Sequence, residues 1–363
     1  MSANPEPEPS SLPQRLLIVG PSWVGDMIMA QSLFIVLKQH YPNLSIDVLA
    51  PAWSAALLDR MPEVNQAIDM PLGHGSLGLA KRYKIGKTLA QQNYDWSILL
   101  PNSLKSALIP FFAHISKRSG FVGEMRYGLL NDLHKLDKKR LSRTVQRFVA
   151  LAYSAQEMYQ REYTGMENIP YPKLHIDQDS AWHLAAQKFQ LAAADNTHFP
   201  ILSLCPGAEY GPAKQWPAAY FAHIAERFWE QNQQHGGQIW LFGSEKDQSF
   251  CQEITAHCNI PVQDLSGKTA LAEAIDLMSL STAVISNDSG LMHVAAAVGA
   301  PVLGLYGSSD PNFTPPLSKQ AEVVSLNLDC SPCFKRHCPL GHLDCLKKMS
   351  PDLVWDKLQV LLN

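Results

Sequence analysis

The run Gly20-Pro-Ser-Trp-Val-Gly25-Asp26-Met27 has the glycine, four residues, glycine spacing of a phosphate-binding loop, but Asp26 and Met27 stand where that loop needs Lys and then Ser or Thr. A carboxylate there repels phosphate and supplies neither the gripping cation nor the magnesium-holding hydroxyl, so the loop does not read as a nucleotide hydrolase. Two readings of Asp26 stay open. It caps the orphan N–H groups of the helix that follows, worth about 0.5–2 kcal/mol, or it is a general base taking a proton from a bound hydroxyl.

Three further stretches put polar groups at strand ends. Cys205-Pro-Gly-Ala-Glu-Tyr-Gly-Pro-Ala-Lys214-Gln-Trp-Pro217 is a polar loop ahead of a helix, and Lys214 brings a point charge to a helix start already favourable to anions. Ser286-Asn-Asp288-Ser289-Gly290-Leu-Met-His293 reads as strand, tight turn, helix. Ser289 and Gly290 offer a hydroxyl and backbone N–H groups to a diphosphate, and Asp288 reads as a cap for that helix. His293, one turn in, is either a structural histidine or a ligand. In Leu241-Phe-Gly-Ser-Glu245, the carboxylate suits hydrogen bonds to a ribose and equally suits a helix cap.

The chain has seven cysteines, and four of them, Cys330, Cys333, Cys338 and Cys345, are separated by only two, four and six residues. Such spacings could wrap a zinc or another metal, with His337 and His342 as spare ligands, although they depart from two C-x-x-C knuckles. No metal is assigned to the reaction, and no cofactor is expected.

These residues need elements to hold them. At 363 residues, 46% hydrophobic and 17% charged, the chain suits two globular domains and excludes a disordered or coiled-coil protein. Arg15–Val19 is an apolar run suited to a strand buried on both faces, and a helix follows that ends near His40. Strands at SIDVLAP and WSILLPN continue the alternation, and after a helical connector from 145 to 192 it restarts at ILSLCPG, QIWLFGS, AVISND and PVLGLYGS. Alternating strands and helices predict an α/β architecture with two doubly wound sheets. The expected domains are a disordered tail over 1–14, an N-terminal domain over 15–173, a C-terminal domain over 174–350, and a closing helix over 351–363 that could pack across domains.

The tail lacks a basic start and an apolar core, so it reads as a disordered tail rather than a signal peptide, and the most apolar window is broken by Asn287, Asp288 and His293. The expected location is the cytoplasm, with any membrane contact peripheral. The net charge of −3 conceals a basic segment: Lys81 to Arg147 holds 14 Lys or Arg against 4 Asp or Glu. That segment suits an anionic partner. Nucleic acid is not expected, because no RNA-binding aromatic signature accompanies the basic residues.

With these motifs in hand, the chain resembles the heptosyltransferases of bacterial lipopolysaccharide synthesis over nearly everything after the tail. The likeness is carried by GPSWVGDMIMAQSLF from Gly20, GFVGEMRYGLLND from Gly120, PGAEYGPAKQWP from Pro206 and SNDSGLMHVAAAVGAPVLGLYG from Ser286. The resemblance implies a GT-B fold, two Rossmann-like domains facing a central cleft, with the acceptor on the N-terminal domain and the nucleotide sugar on the C-terminal one. It implies inverting transfer of heptose from ADP-heptose to the first inner-core heptose on a Kdo-containing lipid A precursor, at the inner face of the cytoplasmic membrane. Addition of the first or third heptose, and a nucleotide-sugar epimerase, are the alternatives. Asp26 is then the base. Lys214, Asp288, Ser289, Gly290 and His293 match the family's K-x-W-P and D-[ST]-G-x-x-H strings and are assigned to the donor together with Glu245. Lys81, Arg82, Arg118 and Arg126 are assigned to the anionic acceptor.

Overall fold

The computed structural model describes residues 12–73, 76–159, 168–191 and 199–362; residues 1–11 of the expected tail and 160–167 and 192 of the connector lie outside the described residues. The chain divides into two compact units. Unit 1 takes Met1–Ser22, Ser32–Leu141 and Gln146–Pro170, and unit 2 takes Trp23–Gln31, Ser142–Val145 and Tyr171–Asn363.

Unit 1 is built on β1 (Arg15–Val19), β2 (Ser45–Ala50), β3 (Val64–Asp69), β4 (Trp96–Leu99), β5 (Lys117–Phe121) and β6 (Asp132–His134). All pairings are parallel, in the order β3-β2-β1-β4-β5-β6. Leu16 to Val19 are buried, as expected for a central parallel strand with helices on both faces. Leu17, Val19, Leu49, Leu99, Ile109 and Leu130 belong to the core. The chain winds away from β1 in one direction and resumes beside it at β4, so the order reverses at the C-terminal end of β1, where doubly wound sheets place their ligands.

Unit 2 repeats the plan with β7 (Ile201–Cys205), β8 (Gln238–Leu241), β9 (Gln263–Asp264), β10 (Ala283–Asn287), β11 (Val302–Tyr306) and β12 (Ala321–Ser325). The parallel order is β12-β11-β10-β7-β8-β9, so the reversal falls between β7 and β10. The helix Ala218–Asn232 buries Phe221, Ile224, Ala225 and Phe228, a stripe at helical spacing, in a core shared with Trp216. The closing helix Pro351–Leu362 packs inside unit 2, against Ala218–Asn232 and strands β11 and β12, through Val354, Trp355 and Leu358. Two doubly wound parallel sheets are the α/β architecture the alternation predicted. No helix among the described residues is long and apolar enough to cross a membrane.

Candidate active site

The loop leaving β1 runs into the helix Val24–His40, whose first turn holds Asp26. The helix opens two residues ahead of Asp26, so the carboxylate lies inside the first turn rather than at the cap position. Negative charge is favoured there by the helix dipole. Its neighbours Met27, Ile28 and Met29 are buried while Asp26 is half-buried. Burial raises the Asp26 carboxyl to about 6, a range in which a carboxylate both ionises at neutral pH and accepts a proton readily.

Gly25 shows how closely this first turn is packed. A Cβ built at Gly25 would lie 2.6 Å from His293 Cδ2 and 3.2 Å from His293 Nε2. A Cβ at Gly290 would lie 2.8 Å from Val24 Cβ. Any larger residue at either position would collide, so the two glycines let the first turn of the Asp26 helix press on the first turn of the helix Gly290–Val298. All of these residues fall in unit 2. The sequence motif singles out Asp26 in this turn but not the packing requirement at Gly25.

His293 is 4% exposed, and its Nδ1 is buried with no hydrogen-bond partner among the described residues. Burial lowers its pKa to about 4, against the pull of the nearby Asp288 carboxylate, so the imidazole is neutral at neutral pH. An orphaned buried nitrogen costs about 1–3 kcal/mol, a cost that a ligand or water contact would offset.

Lys214 ends a short 3-10 turn, Pro212–Lys214, on the loop after β7. Its Nζ lies 2.5 Å from Asp288 Oδ2, with side-chain exposures of 18% and 7%, and sits 5.2 Å from the centre of the Tyr210 ring. Asp288 therefore holds Lys214 instead of capping the following helix. The cap position of that helix is Ser289, whose side chain makes no capping bond and lies 3.2 Å, Oγ to Oγ, from Ser286. Asn287, which the motif reading passed over, fixes the loop at both ends: Nδ2 donates to the Pro206 carbonyl at 2.6 Å and Oδ1 accepts from the Trp216 N–H at 3.2 Å. Lys214, Asp288, Ser289, Gly290 and His293 thus converge on the reversal point between β7 and β10.

Glu245 lies in the turn after β8 with its side chain exposed. The capping role open to it is taken by Asp247, whose Oδ2 accepts from the Ser244 N–H at 2.8 Å and the Ser244 hydroxyl at 2.7 Å.

The four basic residues assigned to an acceptor are in unit 1 and differ in what they can reach. Arg126 is 0% exposed and donates to the Phe121 carbonyl at 2.7 Å, the Pro101 carbonyl at 2.7 Å and Ser106 Oγ at 3.1 Å. Arg82 is buried and donates to the Leu77 carbonyl at 2.7 Å. Arg118, half-buried, donates to the carbonyls of Leu129 and Ile115 at 2.6 and 2.5 Å. Lys81, in the first turn of the helix Leu79–Leu89, is exposed.

Known proteins resemble this chain over nearly its whole length. The glycosyltransferase family 9 (heptosyltransferase) model matches residues 82–344. Lipopolysaccharide heptosyltransferase 2 of Escherichia coli K12 is 44% identical over 358 residues, covering 96% of this chain and 98% of that protein. Lipooligosaccharide heptosyltransferase 2 of Haemophilus influenzae is 45% identical over 353 residues, covering 96% and 99%. The solved structure of E. coli ADP-heptose lps heptosyltransferase II superposes with a TM-score of 0.83 at 40% identity, covering 96% of this chain and 98% of that one.

Proposed function

The chain belongs to glycosyltransferase family 9, the heptosyltransferases, and from that premise we propose that it moves heptose, with inversion, from ADP-heptose to the first inner-core heptose of a lipid A-linked acceptor, with Asp26 as base. One observation carries the reading of the site: the half-buried Asp26 turn is pressed against His293 at the start of the helix Gly290–Val298.

The acceptor hydroxyl gives its proton to Asp26 as its oxygen bonds the anomeric carbon. The bond from that carbon to the diphosphate breaks, and its electron pair leaves on ADP. Charge growing on the departing diphosphate is met by the N–H groups at Ser289 and Gly290 and by Lys214. An ammonium has three donors, so Lys214 can keep Asp288 and still offer hydrogens to a phosphate. The neutral His293 presents its unpartnered Nδ1 near the same helix start, and the exposed Glu245 is the proposed ribose contact. No step in this scheme calls on a metal ion.

Lys81 is the basic residue best placed to meet an anionic acceptor from solution. On the same helix Leu79 and Tyr83 are about half exposed, and Lys84 and Lys87 are exposed. That mixture suits peripheral contact with an anionic membrane surface. The reading is tested by mass analysis of products after incubation with ADP-heptose and a once-heptosylated acceptor. The expected result is a gain of one heptose that requires both substrates. A gain on an acceptor lacking heptose, or donor conversion without acceptor, would refute it.

A further inference from the structure

The segment 326–343, between β12 and the short helix Asp344–Lys347, contains no strand and no helix. Irregular connections of that length are uncommon in compact domains unless something ties them down. Apolar burial ties down only its start, where Leu326 and Leu328 pack against the core; further on, Phe334 is 49% and Leu340 61% exposed. Yet the segment is in contact with the loop that carries Lys214. The Ala213 N–H donates to the Arg336 carbonyl at 3.0 Å, and the Tyr210 hydroxyl donates to the Phe334 carbonyl at 2.9 Å. The Arg336 guanidinium stacks 5.1 Å from the centre of the Tyr210 ring, the same ring that Lys214 approaches.

One pocket is lined by Cys330, Cys333, Cys338 and Cys345, together with Ala213 and His342. All four thiols are free. The Gly341 N–H donates to the Cys338 carbonyl at 3.2 Å, a tight turn of the chain that Gly341 permits with φ at +74°. The two histidines are poorer ligands. His342 Nδ1 already accepts from the Asp344 N–H at 2.9 Å, and His337 is exposed.

We propose that Cys330, Cys333, Cys338 and Cys345 are a four-sulfur site for a structural divalent metal, zinc by preference, that braces the Lys214 loop. A soft tetrahedral thiolate set selects zinc, or iron as the alternative. Among the described residues no group of three or more Cys, His, Asp or Glu side chains is arranged to hold a metal ion, so binding requires the four thiols to move inward from the pocket wall. Each thiol gives up its proton to solvent as its sulfur binds the metal. Lys335, Arg336, Lys347 and Lys348, adjacent to the cluster in sequence, offset the resulting negative charge.

The test uses the full chain purified under reducing conditions without chelator and examined by elemental mass spectrometry. The expected content is about one zinc or iron per chain, lost in Cys338→Ser and kept in Cys258→Ser. Cobalt(II) added to chelator-treated wild-type protein should give the intense visible bands of tetrahedral thiolate ligation, a readout that does not depend on a variant folding. Hydrogen exchange should accelerate over 207–216 when the metal is stripped. Protein with no bound transition metal and no cobalt bands overturns the site, as does a native mass showing the four cysteines joined in disulfides. Unchanged exchange over 207–216 overturns the bracing role.

Discussion

The Lys214 ammonium and the Asp288 carboxylate meet at 2.5 Å, joining the loop after β7 to the end of β10 across the point where the strand order of unit 2 reverses. The charge proposed to meet the leaving diphosphate is thus held in place before any donor binds. Removing one partner is not equivalent to removing both, since a lone charge at a largely buried site costs about 3–5 kcal/mol and less where water still reaches it. We expect Lys214→Met to lower kcat/KM for the donor by about 100-fold and to lower the melting temperature. Adding Asp288→Asn should restore much of the melting temperature and none of the activity. Calorimetry and steady-state kinetics on the wild type and the two variants decide this; recovery of activity in the double variant would remove Lys214 from the reaction.

Asp26 carries the pH dependence of the chemical step. Its carboxyl is raised by burial to about 6, and a base must be ionised to act, so kcat/KM should rise with pH through a single apparent pKa near that value and then level off. Asp26→Asn should abolish turnover while ADP affinity, measured by calorimetry, stays within a few-fold of wild type. A profile rising instead near the ordinary carboxylate range would mean that the acting base is another group.

The same two buried groups push stability in opposite directions over one pH window. Asp26 binds its proton more tightly folded than unfolded, so its contribution to stability grows as pH falls from about 6 towards 4. His293, lowered to about 4, is the reverse: its contribution is complete above the unfolded value near 6.5 and is lost as pH falls towards 4. Each amounts to about 3 kcal/mol at 1.36 kcal/mol per pKa unit, so they nearly cancel in the wild type. Asp26→Asn should therefore exceed wild-type stability near neutral pH and lose that advantage on acidification. His293→Gln should gain on wild type as pH falls. Denaturant midpoints across the window would show two difference curves of opposite slope, and parallel curves would contradict both assignments.

Much of this was legible in the chain because central parallel strands are apolar on both faces. Arg15–Val19, Ala283–Asn287 and Val302–Tyr306 announce themselves as buried runs ended by turn residues. Strands nearer the sheet edges do not. Lys117–Phe121 begins with two charges, and Ala321–Ser325 is half exposed at the end of its sheet, so neither carries the apolar signal. The site divides in a similar way. Lys214, Asp288, Ser289 and His293 follow strand ends in sequence and were found there. The Lys214–Asp288 pair, the packing of Gly25 on His293 and the anchoring by Asn287 join residues far apart in the chain, and residue type alone does not encode which carboxylate meets which ammonium.

The basic segment shows how composition blurs two roles that burial separates. Arg126 is fully buried, with its guanidinium tying together Pro101, Ser106 and Phe121. Lys81 is exposed. Deleting Arg126 leaves several carbonyls without donors, each costing about 1–3 kcal/mol, so Arg126→Ala should lower the unfolding midpoint strongly, and a thermal scan would show it. Lys81→Ala should leave the midpoint within about 0.5 kcal/mol of wild type and raise KM for the anionic acceptor, with the donor KM unchanged and the effect shrinking as salt screens the charge. An acceptor KM unmoved by Lys81→Ala at low salt would rule that residue out of acceptor binding. A thermally unaltered Arg126→Ala with a raised acceptor KM would assign the buried guanidinium to the substrate after all.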